Sequence, residues 1–279
     1  MSNIKPLKRF GQNYLIDKNI LRKIAAEILP QPQDNIIEIG PGTGALTELL
    51  VNKVEKLTAV EIDFRVIEDL RAKFPSLNLL HADFLNLDLE SLIHYNKNKL
   101  RIVGNIPYNL TSPILFKMIE NNDIIKDAVL MVQNEVAQRI TAKKDSKEYG
   151  ILAVLLQFFA EVKIIFKISP NVFFPKPKVY SALIHIIFKE IKMDKEEKMF
   201  FLNIVKASFG NRRKIIKNSL SNSIFAEINF KESNINLELR AEQLNIEDFL
   251  TLAEFARKNF HNNIPSFDKR QFSHKLSKK

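Results

Sequence analysis

Glu38-Ile39-Gly40-Pro41-Gly42-Thr43-Gly44-Ala45-Leu46-Thr47 is the stretch that decides the fold. A short apolar run, Ile36-Ile37, leads into it. Leu46, Leu49, Leu50 and Val54 follow at helical spacing. The order is strand, tight glycine turn, helix. Three of the chain's seven glycines fall within five residues here. Glycine lets backbone approach a ligand closely and adopt positive φ. A helix N-terminus offers free N–H groups to an anionic ligand group. The stretch therefore predicts an α/β fold with a nucleotide-type site on a doubly wound sheet.

The spacing narrows the ligand. Gly40, Gly42 and Gly44 read G-x-G-x-G, whereas dinucleotide enzymes carry G-x-G-x-x-G. Glu38 precedes the turn, and Glu61 closes the next strand after Leu57–Val60. That pair suits S-adenosylmethionine. Glu61 can accept hydrogen bonds from both ribose hydroxyls, and Glu38 can influence the amino-acid end, directly or through another group. The competing reading is a glycine turn that only links strand to helix, and the rest of the chain weighs against it.

A chain of 279 residues, 46% apolar, can bury a large domain and a smaller one. No apolar run approaches the roughly 20 residues that span a bilayer, and Met1–Phe10 lacks the apolar core of a secretory signal. The expectation is a cytoplasmic protein that does not enter membranes. With no cysteine, thiolate metal sites and cysteine nucleophiles are excluded, and the five histidines show no ligand spacing, so no metal is expected. Net charge is +10, and from Lys189 onward 18 Lys and Arg stand against 12 Asp and Glu. Such an excess suits a polyanionic partner, or else a solvated basic surface.

KPLKRFGQNYL, residues 5–15, sets Gly11-Gln12-Asn13 before a helix capped by Asp17, with Ile20, Leu21, Ile24, Ala25 and Ile28 on one face. Further strands are expected at Lys56–Ile62, Asn78–His81, Leu100–Gly104 and Asp127–Gln133. Asp83 sits where ligands bind in open α/β sheets. It reads either as an acceptor for an adenine amino group, with Phe84 near the ring, or as a loop cap. The third of these strands runs into Asn105-Ile106-Pro107-Tyr108-Asn109. An amide, a proline and an aromatic at a strand end suit chemistry on a planar exocyclic amine. The Asn105 side-chain oxygen and a nearby carbonyl, such as that of Ile106, can accept its two N–H groups and aim the nitrogen lone pair. Tyr108 can stack on a base taken out of its helix.

Helices are expected at Glu135–Thr141 and Gly150–Phe159, then two late strands forming an antiparallel end to the sheet. Between those strands lies the proline-set loop 170–178, with Phe173, Phe174 and two lysines. One phenylalanine closes the other face of a bound base, or the pair staples the loop. Residues 189–195 form a charged break. The expected domains are 1–190, the catalytic α/β domain, and 191–279, a basic helical domain. In the latter, Arg212, Arg213, Lys214 and Lys217 cluster on a helix opening at Gly210. They read as phosphate contacts, or as a solvated helix face.

FGQNYL (10–15), EIGPGTGALT (38–47), EID (61–63), ADFL (82–85), NIPYN (105–109), FFPKPKV (173–179) and FGNRRKIIKNSL (209–220) occur in this order. Together they resemble the ribosomal RNA adenine N6-dimethyltransferase family across about residues 8–260. The resemblance implies a Rossmann-like methyltransferase sheet, mostly parallel with seven strands and the last antiparallel, plus a small C-terminal helical domain. It implies S-adenosylmethionine as cosubstrate, contacted by Asn13, Leu15, Gly40, Glu61, Asp83 and Asn105. Tyr108 and Phe173 would stack on the flipped adenine. The partner implied is small-subunit (16S) rRNA in a pre-30S particle, with two adjacent adenosines near its 3′ end dimethylated by a monomeric enzyme that also takes part in small-subunit biogenesis.

Two positions depart from the small-subunit branch. Ile106 stands where Leu is usual and looks more like relatives that methylate large-subunit rRNA and confer resistance. Tyr180 replaces a usual Asp. GPGTGALT and the RRK segment favour the small-subunit branch. The alternatives are a large-subunit rRNA adenine N6-methyltransferase and an assembly factor acting mainly by binding. A DNA or free-nucleotide methyltransferase and a NAD-dependent oxidoreductase fit the motifs less well.

Overall fold

The structure, a computed structural model, describes residues 6–7, 11–93, 98–211, 213–261 and 264–265. It divides into two compact units. Of the described residues, one takes those up to Ala137 together with Glu161–Lys189, and the other takes Gln138–Ala160 and those from Glu190 to Pro265.

The first unit begins with β1 (Tyr14–Leu15) and α1 (Lys18–Ile28). The Asp17 carboxylate accepts the N–H groups of Asn19 and Ile20 and so starts α1, whose buried face is Leu21, Ile24, Ala25 and Ile28. Then come β2 (Asn35–Ile39), α2 (Thr47–Leu50), β3 (Lys56–Glu61), α3 (Phe64–Lys73) and β4 (Asn78–His81). Helix α2 is shorter than the apolar spacing through Val54 suggests. After Leu50 the chain closes turns and returns to the sheet, with the Glu55 N–H on the Pro32 carbonyl. Next are β5 (Leu100–Asn105), α4 (Thr111–Glu120), β6 (Ile125–Gln133) and α5 (Asn134–Ile140), which runs on into the second unit.

The second unit contributes α6 (Ile151–Phe159) before the chain returns through β7 (Ala160–Ile168), β8 (Phe173–Phe174) and β9 (Ser181–Phe188). The seven-stranded sheet has the order β4-β3-β2-β5-β6-β9-β7. Strands β4, β3, β2, β5 and β6 pair in parallel, and β9 pairs antiparallel with β6. The last strand in sequence is thus antiparallel but internal, inserted beside β6 with β7 outside it. All five residues of β2 are buried, as expected for a strand covered on both faces. Gly104, at φ +157°, lets β5 close on β2, because a Cβ there would stand 2.5 Å from the Ile39 carbonyl oxygen.

At the other end of the sheet a buried ion network anchors α1. Arg101 pairs with Asp34 (2.5 Å) and Asp127 (2.7 Å), and its guanidinium also donates to the Ile28 carbonyl. Burial alone would raise the Asp127 pKa, but hydrogen bonds from Arg101 and His185 hold it at about 2.

The second unit is packed by aromatic rings. Phe158 and Phe159 meet Phe201 on α7 (Lys195–Phe209). This explains why residues 138–160, expected in the first domain, group here. Helix α8 (Ile216–Leu220) and α9 (Ile246–Asn259) complete it, with Phe209 stacked on Phe249. Helix α8 starts later than the sequence suggests, because Ile215 bridges to Arg240 and the Ile216 N–H goes to the Leu239 carbonyl. Among the described residues, no helix is long and apolar enough to cross a membrane, and no group of three or more Asp, Glu or His could hold a metal ion.

Candidate active site

The chain reverses its direction of winding at β2, which has β3 on one side and β5 on the other. In open α/β sheets, ligands bind in the crevice at the strands' carboxyl ends beside such a switch. Here the ends of β2, β3, β4 and β5 deliver Glu38, Glu61, Asp83 and Asn105 to one place. They surround a cleft of two lobes, which share Tyr14, Gly40, Gly42 and Asn105 as walls. Leu15 and Glu38 line the first lobe; Asn13, Glu61, Asp83, Phe84, Ile106 and Tyr108 line the second.

Each side chain is held by the local backbone. One Glu61 oxygen accepts the N–H groups of Ile62 and Asp63, both at 2.9 Å. Burial raises its pKa, and those N–H groups with that of Gly42 oppose the rise. Asp83 Oδ1 accepts the Leu85 N–H at 2.9 Å. The capping reading of Asp83 is therefore realised, yet its other oxygen has no hydrogen-bond partner among the described residues and the residue lines the cavity. Glu38 is 2% exposed and accepts the Thr47 hydroxyl at 2.7 Å; burial pushes its pKa up to about 7.

Asn105 donates Nδ2–H to the Asn13 carbonyl at 2.7 Å. A carbonyl can only accept, so the orientation of the amide is fixed and Oδ1 is left as an acceptor on the wall common to both lobes. Asn13 itself is braced by its Nδ2 on the Gly11 carbonyl at 3.1 Å. Gln12 ties the same segment to Asp63 at 3.0 Å. The Tyr108 hydroxyl meets Ser181 Oγ at 2.7 Å, which sets its ring at the cavity wall.

Phe173 stands apart from the cavity in this structure. It is 3% exposed, sits opposite Leu15 in the β1–β8 pair and belongs to the apolar core with Ile168 and Leu183. It does not line the cavity. Its neighbour Phe174 is 60% exposed. Alternation along an extended segment turns one of two adjacent phenylalanines inward, and the motif alone does not say which. Of the basic cluster, Arg213, Lys214 and Lys217 are exposed in the second unit, the first two on a turn and Lys217 on α8; Arg212 lies outside the described residues.

Sequence reasoning missed Tyr14. Its hydroxyl is buried without a partner among the described residues, and burial, then the charges of Glu61 and Asp63, push its pKa up to about 12. The signal was its place in GQNYL, beside residues already singled out. An orphaned donor is expensive to leave unmet. So are the Glu61 and Asp83 carboxyls, which have no cationic or hydroxylic partner among the described residues. Gly40, at φ +62°, leaves its surroundings open: a Cβ there would meet nothing within 4 Å. An orphan donor, an open glycine cradle and three carboxyl groups fit a cationic, hydroxyl-rich nucleoside such as S-adenosylmethionine. They disfavour the pyrophosphate of a dinucleotide, which would face like charge.

The comparisons with known proteins agree. The family model for ribosomal RNA adenine dimethylase matches residues 3–258. A ribosomal RNA small subunit methyltransferase A from Chlorobium phaeobacteroides (strain BS1) is 46% identical over 245 residues, 88% of this chain and 91% of that protein. One from Francisella tularensis subsp. novicida (strain U112) is 43% identical over 256 residues, 90% and 97% of the two chains. Among solved structures, a dimethyladenosine transferase from Plasmodium falciparum matches with a TM-score of 0.68 at 26% identity, covering 85% of this chain and 95% of that one. The 23S rRNA methyltransferase ErmE matches with a TM-score of 0.62 at 26% identity, covering 87% and 98%. With the model spanning nearly the whole chain and the family's strand-end motifs gathered round one cavity, the chain belongs to the ribosomal RNA adenine dimethylase family.

Proposed function

We propose that this protein places two methyl groups on the N6 of each of two adjacent adenosines near the 3′ end of small-subunit rRNA, drawing them from S-adenosylmethionine. It acts as a cytoplasmic monomer on a pre-30S particle and takes part in small-subunit biogenesis. Identities of 46% and 43% to proteins named for the small subunit support that choice of RNA over the one Ile106 suggests.

The observation that carries the chemistry is the Asn105 amide, locked by Asn13 with Oδ1 left free to accept. Glu61 would hold the ribose hydroxyls, Asp83 the adenine amine, and Asn13, Leu15 and Gly40 the remaining wall. Bound adenosylmethionine supplies an electrophilic methyl group. Asn105 Oδ1 accepts an N–H of the target amine, drawing nitrogen towards a pyramidal shape and fixing the direction of its lone pair. Tyr108, pinned by Ser181, supports one face of the extruded base, which costs a few kcal/mol to unstack. No side chain needs to act as base, because an alkylated amine sheds its proton readily. The exposed Arg213, Lys214 and Lys217, with Arg212, supply phosphate contacts from the helical unit.

Asn105→Ala tests this assignment. Its turnover on small subunits should fall about 10²–10³-fold, as for loss of one aimed polar group, while calorimetric affinity for adenosylmethionine stays within about threefold. Near-normal turnover would overturn the role of Asn105.

A further inference from the structure

We propose that Tyr180, backed by Lys167, is a stacking platform for the unpaired nucleotide that neighbours the target adenosine. The proposal rests on the methyltransferase reading above and adds a second base-contacting site to it. Lys167 Nζ lies 4.1 Å from the centroid of the Tyr180 ring, well inside cation–π range. The lysine occupies one side of the ring, and Tyr180 is still 49% exposed. Large exposed neighbours, Phe174 and Val179, flank it on the same loop.

The location points to RNA. The Tyr180 carbonyl accepts the Asn134 N–H at 2.9 Å, just past the carboxyl end of β6. That is the sheet edge onto which the cavity opens, since Met131 of β6 and Leu183 of β9 line it. The next residue, Ser181, holds the Tyr108 hydroxyl at 2.7 Å. One peptide step therefore separates the platform from the anchor of the aromatic assigned to the target base.

The charge suits the same partner. Lys167, Lys176 and Lys178 are exposed, and none has a carboxylate partner among the described residues. Lys163, by contrast, is paired with Glu161 at 2.9 Å. Aromatic faces interleaved with unpaired cations are what a single strand of nucleic acid meets in sequence-tolerant grooves: base on ring, phosphate on lysine. The competing explanation is an ordinary surface cation–π pair that only covers an exposed tyrosine.

Steady-state methylation of unmethylated small subunits by Tyr180→Ser, Tyr180→Phe and wild-type protein separates these. Stacking on one aromatic corresponds to about 5–150-fold in binding. Tyr180→Ser should raise KM by that factor with kcat within about twofold, because the contact is made equally before and during reaction. Tyr180→Phe should keep the wild-type KM, since the ring face remains. A Tyr180→Ser KM equal to wild type would overturn the platform, as would a Phe variant that behaves like the Ser variant. Absence of methyl transfer to small subunits by the wild type would instead overturn the functional reading on which the platform rests.

Discussion

Glu38 shows how much one side chain can carry. It is buried beneath the glycine turn with a hydroxyl, and no cation, as its hydrogen-bond partner. Its pKa rises from 4.5 to about 7. The folded protein therefore binds a proton that the unfolded chain has released, and stability from this group falls as pH climbs through that window. The cost of ionising it approaches about 3 kcal/mol above neutrality, at 1.36 kcal/mol per pKa unit. Glu38→Gln keeps an acceptor for Thr47 and removes the charge, so the ligand-free variant should gain stability over wild type in denaturant unfolding at pH 9 and much less at pH 4. A gain that did not change with pH would contradict the assigned titration. The sequence placed Glu38, Glu61, Asp83 and Asn105 correctly at strand ends, because position at a strand's carboxyl end is a local property. It did not disclose that Phe173 turns inward while Phe174 turns out. That depends on pairing β8 with β1 across more than a hundred residues of chain.

At the level of elements, the glycine turn, the capped α1 and the parallel strands were legible from period and capping alone. The extent of α2 and the start of α8 were not. Apolar spacing through Val54 continues past the point where α2 ends, because the chain must turn back to feed β3. Residues 211–215 share the composition of a helix, but Ile215 is claimed by a bridge to Arg240. Arg213 and Lys214 consequently sit on a turn, where their charges are not aligned along one helical face. The membership of residues 138–160 was equally hidden: local pattern announces a helix, while its partner, Phe201, lies far along the chain. These exposed cations are the proposed phosphate contacts, and charge reversal tests that role. Arg213→Glu with Lys214→Glu and Lys217→Glu should flatten the dependence of log affinity for small-subunit RNA on log salt by about 2, each lost phosphate contact contributing about 0.7–0.9. Affinity for adenosylmethionine should be unchanged. A salt slope equal to wild type would take this face out of the RNA interface.

Across the whole molecule, charge is divided by task. A chain of net charge +10 gathers the carboxyls of Glu38, Glu61 and Asp83 around the sheet-edge crevice, and most of its described lysines and arginines are exposed, with Arg101 and Lys117 the buried exceptions. An acidic pocket draws a cationic nucleoside, and a basic exterior draws polyanionic RNA. Composition alone announced the second half. The first was legible as three carboxyls at successive strand ends, and the sheet order β4-β3-β2 brings those ends side by side. Incubating the protein with methyl-labelled S-adenosylmethionine and, separately, unmethylated small subunits and large-subunit rRNA tests the central claim most directly, with the labelled nucleosides identified by chromatography. The expected product is N6-dimethyladenosine at two adjacent positions of small-subunit rRNA, with no label in the large-subunit RNA. Label confined to large-subunit rRNA, or cofactor binding without transfer to either, would contradict it.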